Sequence, residues 1–110
     1  MEISTRKELK AMVVMVSGRI DAVTASEFEN AFAELIDQGN RTFVIDFAEL
    51  YYISSAGLRS ILAAAKKLKG MDGKLSLACL KEMVKEVFDI SGFSTIIPIF
   101  DSVASALEAM

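Results

Sequence analysis

Apolar and polar positions along this chain switch between two spacings. Ala11 to Ser17 is a nearly unbroken apolar run of strand length, the pattern of a strand buried on both faces. Phe43-Val44-Ile45-Asp46-Phe47 and Lys74 to Cys79 read as two more strands. Thr95 to Phe100 reads as a short last strand; Pro98 has no N–H for a ladder, which places it at a sheet edge. Residues 2–8 form a candidate first strand, with Glu8-Leu9-Lys10 as its turn.

Between these runs the spacing becomes helical. Phe28, Ala31, Phe32, Leu35 and Ile36 make one amphipathic stripe, and Leu58, Ile61, Leu62, Ala65 and Leu68 a second. Met83, Val84, Val87 and Phe88 form the apolar face of a shorter helix over Glu82 to Ile90. Val103, Ala106, Leu107 and Met110 share a face of the last. The punctuation agrees. Gly18 to Val23 reads as a connection, and Thr24-Ala25-Ser26-Glu27 has the form of a capping box. Gly39 and Ser91-Gly92 stop helices, Asp72-Gly73 turns, and Asp101-Ser102 caps. Strands alternating with helices predict an α/β fold of four to five strands with four helices, one domain over residues 1–110.

Composition narrows what such a domain can do. Of 110 residues, 53% are apolar, enough for one core. Twelve basic and fifteen acidic side chains give a charge of −3 with no basic run, a poor match to nucleic acid or an anionic membrane. The apolar runs are far shorter than a membrane span, and the first residues carry no secretory pattern. One cysteine, Cys79, excludes an internal disulfide and suits a reducing, cytoplasmic setting. The chain has no histidine, so Ser-His-Asp and Cys-His catalysis and His-based metal sites are excluded. Gly73-Lys74-Leu75-Ser76 lacks the earlier glycine of a phosphate loop. The reading is a non-enzyme with no cofactor and no metal.

The candidate chemistry lies in Tyr52-Ile53-Ser54-Ser55-Ala56-Gly57-Leu58, which joins the 43–47 strand region to the second stripe. Two serines stand where a helix begins, where N–H groups lack partners and the dipole is positive. A hydroxyl there caps the helix, and a phosphate there is well tolerated.

Three segments together resemble the STAS domain of bacterial anti-sigma factor antagonists. They are Gly18-Arg19-Ile20-Asp21-Ala22 with Thr24; Val44 to Phe47 with Leu50, Tyr52, Ile53 and Ser54-Ser55-Ala56-Gly57-Leu58; and Val87 to Phe93. The resemblance implies a STAS-like mixed sheet and a monomeric binding module in a partner-switching pathway. Its partner would be an anti-sigma factor that is also a serine kinase of histidine-kinase-like ATPase fold. Phosphorylation would inactivate the module, and a PP2C-type phosphatase would reverse it. Matching Gly57-Leu58 to the family's Gly-Leu implies Ser55 as the acceptor, with Ser54 as the alternative. Ser54 stands where the family commonly has Asp. The implied partner surface comprises Gly18, Arg19, Asp21, Thr24, Ser54, Ser55, Ala56, Gly57, Leu58 and Arg59. The alternative role for such a domain is a regulatory subunit of a lipid or anion transport complex or a signalling assembly.

Simpler readings stand beside these. Ser55 is also read as the helix N-cap, with Ser54 as a loop residue. Gly57 serves either close packing or backbone access. Of Tyr51 and Tyr52, one is expected to pack and one to face out. Most methionines are expected in the core, and Cys79 as a small buried hydrophobe within its strand.

Overall fold

The computed structural model describes residues 1–110. The strands are β1 (Glu2–Lys7), β2 (Met12–Ile20), β3 (Thr42–Asp46), β4 (Leu50–Ile53), β5 (Lys74–Ala78) and β6 (Ile99–Phe100). The helices are α1 (Ala25–Asp37), α2 (Ser55–Lys69), α3 (Glu82–Ser91) and α4 (Val103–Glu108). The sheet runs β1-β2-β3-β5-β6, with β4 paired to β2 off that path. Only β1–β2 is antiparallel, so the sheet is mixed.

Alternation along the central strands explains the two-sided packing. Val14, Val16, Phe43, Ile45, Leu75 and Leu77 enter the large core. There they meet Phe28, Phe32 and Ile36 of α1, Leu58, Ile61 and Leu68 of α2, and Val84 and Phe88 of α3. Their neighbours Val13, Val44 and Ala78 point the other way, onto Ala106 of α4. The rings of Phe28 and Phe32 lie 5.5 Å apart, and those of Phe32 and Phe43 lie 4.4 Å apart. Gly39 at φ +100° ends α1, and Gly92 at φ +80° ends α3, both in the left-handed region that favours glycine.

Several expectations are corrected. β2 does not stop at Ser17: Gly18-Arg19-Ile20 continue it, because β4 pairs alongside them. That short strand raises the count to six. Its register skips one residue, from Gly18↔Leu50 to Arg19↔Tyr52, so Tyr51 is bulged out. The bulge breaks the alternation. Leu50 and Ile53 point inward, while Tyr51 and Tyr52 both face solvent, 59% and 42% exposed.

The box at Thr24 and Glu27 does not form; Thr24 is already helical and makes no side-chain cap. The segment from Thr95 to Phe100 keeps only Ile99–Phe100 as strand, at the sheet edge; Phe93–Thr95 is a tight 3-10 turn. Met83, placed on the apolar face of α3, is 75% exposed. No methionine is fully buried: Met1, Met12, Met15 and Met110 pack against the core margins, while Met71 and Met83 are exposed. Cys79 lies just past β5 at φ +63°, half-buried. Burial, then the Asp46 carboxylate, push its thiol above the ordinary range, so it stays neutral.

Candidate functional site

The site forms where β2 and β4 end side by side and α2 begins. The Ser54 N–H donates to the Ile20 carbonyl at 2.9 Å, joining the Gly18–Asp21 segment to the start of α2. Gly18, at φ +94°, donates its N–H to Glu49 O at 3.0 Å and accommodates the bulge.

The two serines divide the work by one residue of register. Ser54 has extended backbone and is the N-cap; its Oγ accepts from the Gly57 N–H at 3.2 Å. Its carbonyl accepts from the Leu58 N–H at 2.9 Å. Ser54 thus holds the capping role that sequence reading gave to Ser55. Ser55 is the first helical residue and is exposed, and the chain supplies its hydroxyl no partner. The Ser55 and Ala56 N–H groups lie before the first intrahelical bond and stay open at the positive end of α2. No acidic side chain stands in that first turn. Arg59 is exposed one turn after Ser55, at the i,i+4 spacing of helix neighbours.

Gly57 is there for packing. A Cβ at this position would lie 2.8 Å from Ile20 Cγ2, 2.8 Å from Ile53 Cγ1 and 2.9 Å from the Ile20 carbonyl oxygen. That carbonyl is already held by Ser54, so it cannot withdraw cheaply. Gly57 and Leu58 are buried. They clamp the start of α2 onto the strand ends, and their side-chain positions are closed to a partner. Ala56 is half-buried. Ser60 adds a second tether: its buried Oγ donates to Glu29 Oε1 of α1 at 2.8 Å, with the Ala56 carbonyl 3.1 Å away.

The Asp21 loop is equally structured. The Asp21 carboxylate accepts from the Val23 and Thr24 N–H groups, each at 3.0 Å. The Asp21 N–H donates to Thr24 Oγ1 at 2.9 Å, and the Ala25 N–H donates to the Asp21 carbonyl at 2.8 Å. This is a reciprocal cap, set three residues earlier than the Thr24–Glu27 pattern suggested, with a carboxylate as the stronger acceptor. Asp21 also holds Arg19, Nε to Oδ2 at 3.0 Å. The Arg19 guanidinium sits 4.6 Å from the Tyr52 ring centroid, a cation–π contact across β2 and β4. Tyr52's exposed, stacked ring escapes sequence reasoning, because the bulge that turns it outward leaves no periodic signal.

The Thr24 N–H bond, chiefly, holds the Asp21 carboxyl below its usual range; Val23, the Thr24 hydroxyl and Arg19 add to it, and partial desolvation opposes it. A carboxyl lowered by folding stabilises the fold fully above its unfolded pKa. That contribution disappears as pH falls through the lower folded value. The expected result is that the Val23 and Thr24 amide resonances move together in an acid titration by NMR, at a pH below that of free aspartate. Titration of Asp21 in the ordinary range would contradict this geometry.

The STAS domain family model matches residues 2–106. This chain belongs to the STAS domain family. A relative from Bordetella bronchiseptica, named "Putative anti-sigma factor antagonist BtrV", is 41% identical over 98 residues, 89% of this chain and 84% of the relative. An anti-sigma-B factor antagonist of Listeria monocytogenes is 33% identical over 86 residues, 78% of this chain and 75% of the relative. The crystal structure of an anti-sigma factor antagonist from Mycobacterium paratuberculosis superposes with a TM-score of 0.90 at 25% identity, over 98% of this chain and 92% of that one. Within this STAS fold, the six strands and four helices bring Arg19, Asp21, Thr24, Ser54 and Ser55 to one end of the sheet. No helix is long and apolar enough to cross a membrane.

Proposed function

We propose that this chain is an anti-sigma factor antagonist whose binding is switched by phosphorylation of Ser55. The observation that carries this reading is the split between the serines. Ser54 spends its hydroxyl on the cap, and Ser55 presents an exposed, uncommitted one beside open N–H groups. A kinase acting here need not break the cap. A phosphoserine carries about −1.5 to −2 charge at pH 7. At a helix N-terminus, such a charge is stabilised by about 0.3–1 kcal/mol. The Gly57 clamp keeps the helix start in place, so the modification changes the surface and leaves the fold.

The partner in this reading is an anti-sigma factor with serine kinase activity, and a PP2C-type phosphatase restores the hydroxyl. Arg19, Asp21 and Tyr52, at the same end of the sheet, and Arg59 of α2 complete the partner surface in this reading, and the module itself performs no catalysis. The test is phosphorylation with the cognate kinase and ATP, with the site mapped by mass spectrometry. Phosphate is expected on Ser55 in the wild type and in Ser54→Ala. The Ser54→Ala variant should lose about 0.5–2 kcal/mol of stability as its cap goes. Phosphate on Ser54 with Ser55 unmodified would refute the assignment.

A further inference from the structure

At the end of α2 remote from Ser55, a cavity of about 480 Å³ opens between α2, β5 and the segment leading into β6. Its volume lies in the range of small-molecule pockets. Ile97 and Leu75, both buried, form part of its apolar lining, together with Phe100 and the exposed Ile96. Lys66, Lys69 and Lys74 also line it, and no Asp or Glu side chain does. None of the three lysines is ion-paired; the chain's two ion pairs are Arg6–Glu8 and Arg19–Asp21. In a protein of net charge −3, three of its eight lysines thus converge on one apolar hollow that no acidic side chain lines.

Helix electrostatics account for part of this. Lys66 and Lys69 stand in the last turn of α2, where cations oppose the dipole. Lys74 lies on β5 and has no such reason to be there. The turn between them is closely packed. A Cβ on Gly73 would fall 2.5 Å from the Arg41 carbonyl oxygen and 2.8 Å from Leu68 Cδ2. β6 is only two residues long and lies at the sheet edge, which leaves the hollow open on that side.

We infer that this cavity binds a small anionic amphiphile, with a carboxylate or phosphate head on Lys66, Lys69 and Lys74 and an apolar body over Ile97 and Phe100. Burying the apolar body supplies the driving force, and the lysines select the charge. The inference does not depend on the reading of Ser55. The two regions lie at opposite ends of a 15-residue helix, about 22 Å apart along its axis.

The same head chemistry occurs on free small molecules and on lipids, and the experiment separates them. Decyl phosphate below its micelle concentration is titrated into the protein by calorimetry and NMR. Inorganic phosphate and decanol are controls, and phosphatidylglycerol vesicles form a parallel arm. Saturable decyl phosphate binding is expected, with amide shifts at Gly73, Ile96 and Phe100. The Lys66→Gln/Lys69→Gln/Lys74→Gln variant should bind about tenfold more weakly or worse, as should Ile96→Ser. If the triple variant fails to fold, Lys74→Gln alone should still weaken binding about threefold. Absence of saturable binding overturns the inference. So does equal binding by folded lysine variants, or by decanol. Capture by vesicles without binding of free decyl phosphate also overturns it, and makes the lysines a membrane-facing patch.

Discussion

Ser55→Asp is expected to weaken binding to the cognate anti-sigma factor by about a hundredfold to a thousandfold, with the domain still folded. A partner surface that accepts a neutral hydroxyl must desolvate the new carboxylate without a cation of its own to meet it. Leaving a charge unpaired in an interface costs about 3–5 kcal/mol. Each 1.4 kcal/mol is about tenfold in affinity. Stability should move little or rise slightly, since the new charge lies at the positive end of α2 and that first turn carries no acid. Ser55→Ala, by contrast, should bind within about threefold of wild type, because Ser54 retains the cap. Calorimetric titration of the three proteins into the purified anti-sigma factor, alongside thermal melts, separates the outcomes. Equal affinity for all three would reduce Ser55 to an exposed helical residue and remove the switch.

The second large effect is structural. Phe88→Ala should destabilise the domain by about 3–5 kcal/mol, the cost of deleting a fully buried aromatic side chain and leaving a cavity. Phe88 anchors α3 in the main core, with its ring 6.5 Å from that of Phe47. For a domain of this size the melting temperature should fall by roughly 12 °C or more. Met83→Ala on the same helix should change stability by no more than about 0.5 kcal/mol, because Met83 is largely in solvent. Denaturant melts of the two variants are a direct check on which face of α3 is packed. A large loss at Met83 would mean that α3 is rotated from the orientation described.

Met83 illustrates how far pattern reading reaches. Met83, Val84, Val87 and Phe88 all satisfy helical spacing, yet together they span about 140° of the helix circumference, more than is buried. Val84 and Phe88 lie at the centre of the contact and are buried, Val87 is half-buried, and Met83 falls outside it. Periodicity identifies the helix; only the position of β4 and the core beneath decides which of its apolar residues is inside.

The short strand β4 was illegible for a related reason. Leu50-Tyr51-Tyr52-Ile53 has its inward residues at both ends and two aromatics facing outward between them. That order lacks the alternation of a strand. It becomes a strand through pairing with Gly18–Ile20, residues more than thirty positions away, and through the bulge at Tyr51. The same distant pairing extends β2, turns Tyr52 toward Arg19, and brings the Asp21 loop to the start of α2.

The residues alone determined the α/β class, the order of the long elements, the burial of β2 on both faces, and the junction of α2 as the place to look. Those are consequences of local spacing and of residue types that stop or start helices, and they survive without knowledge of neighbours. Tertiary structure decided which serine caps and which is free, that Asp21 rather than Thr24 anchors α1, and that Gly57 is required by Ile20 and Ile53. It also gathered Lys66, Lys69 and Lys74 around one hollow. The serine split turns on a one-residue register, and the Gly57 clamp and the lysine cluster on contacts between distant segments. Both are set by how strands pair and helices dock, which local sequence preference does not encode.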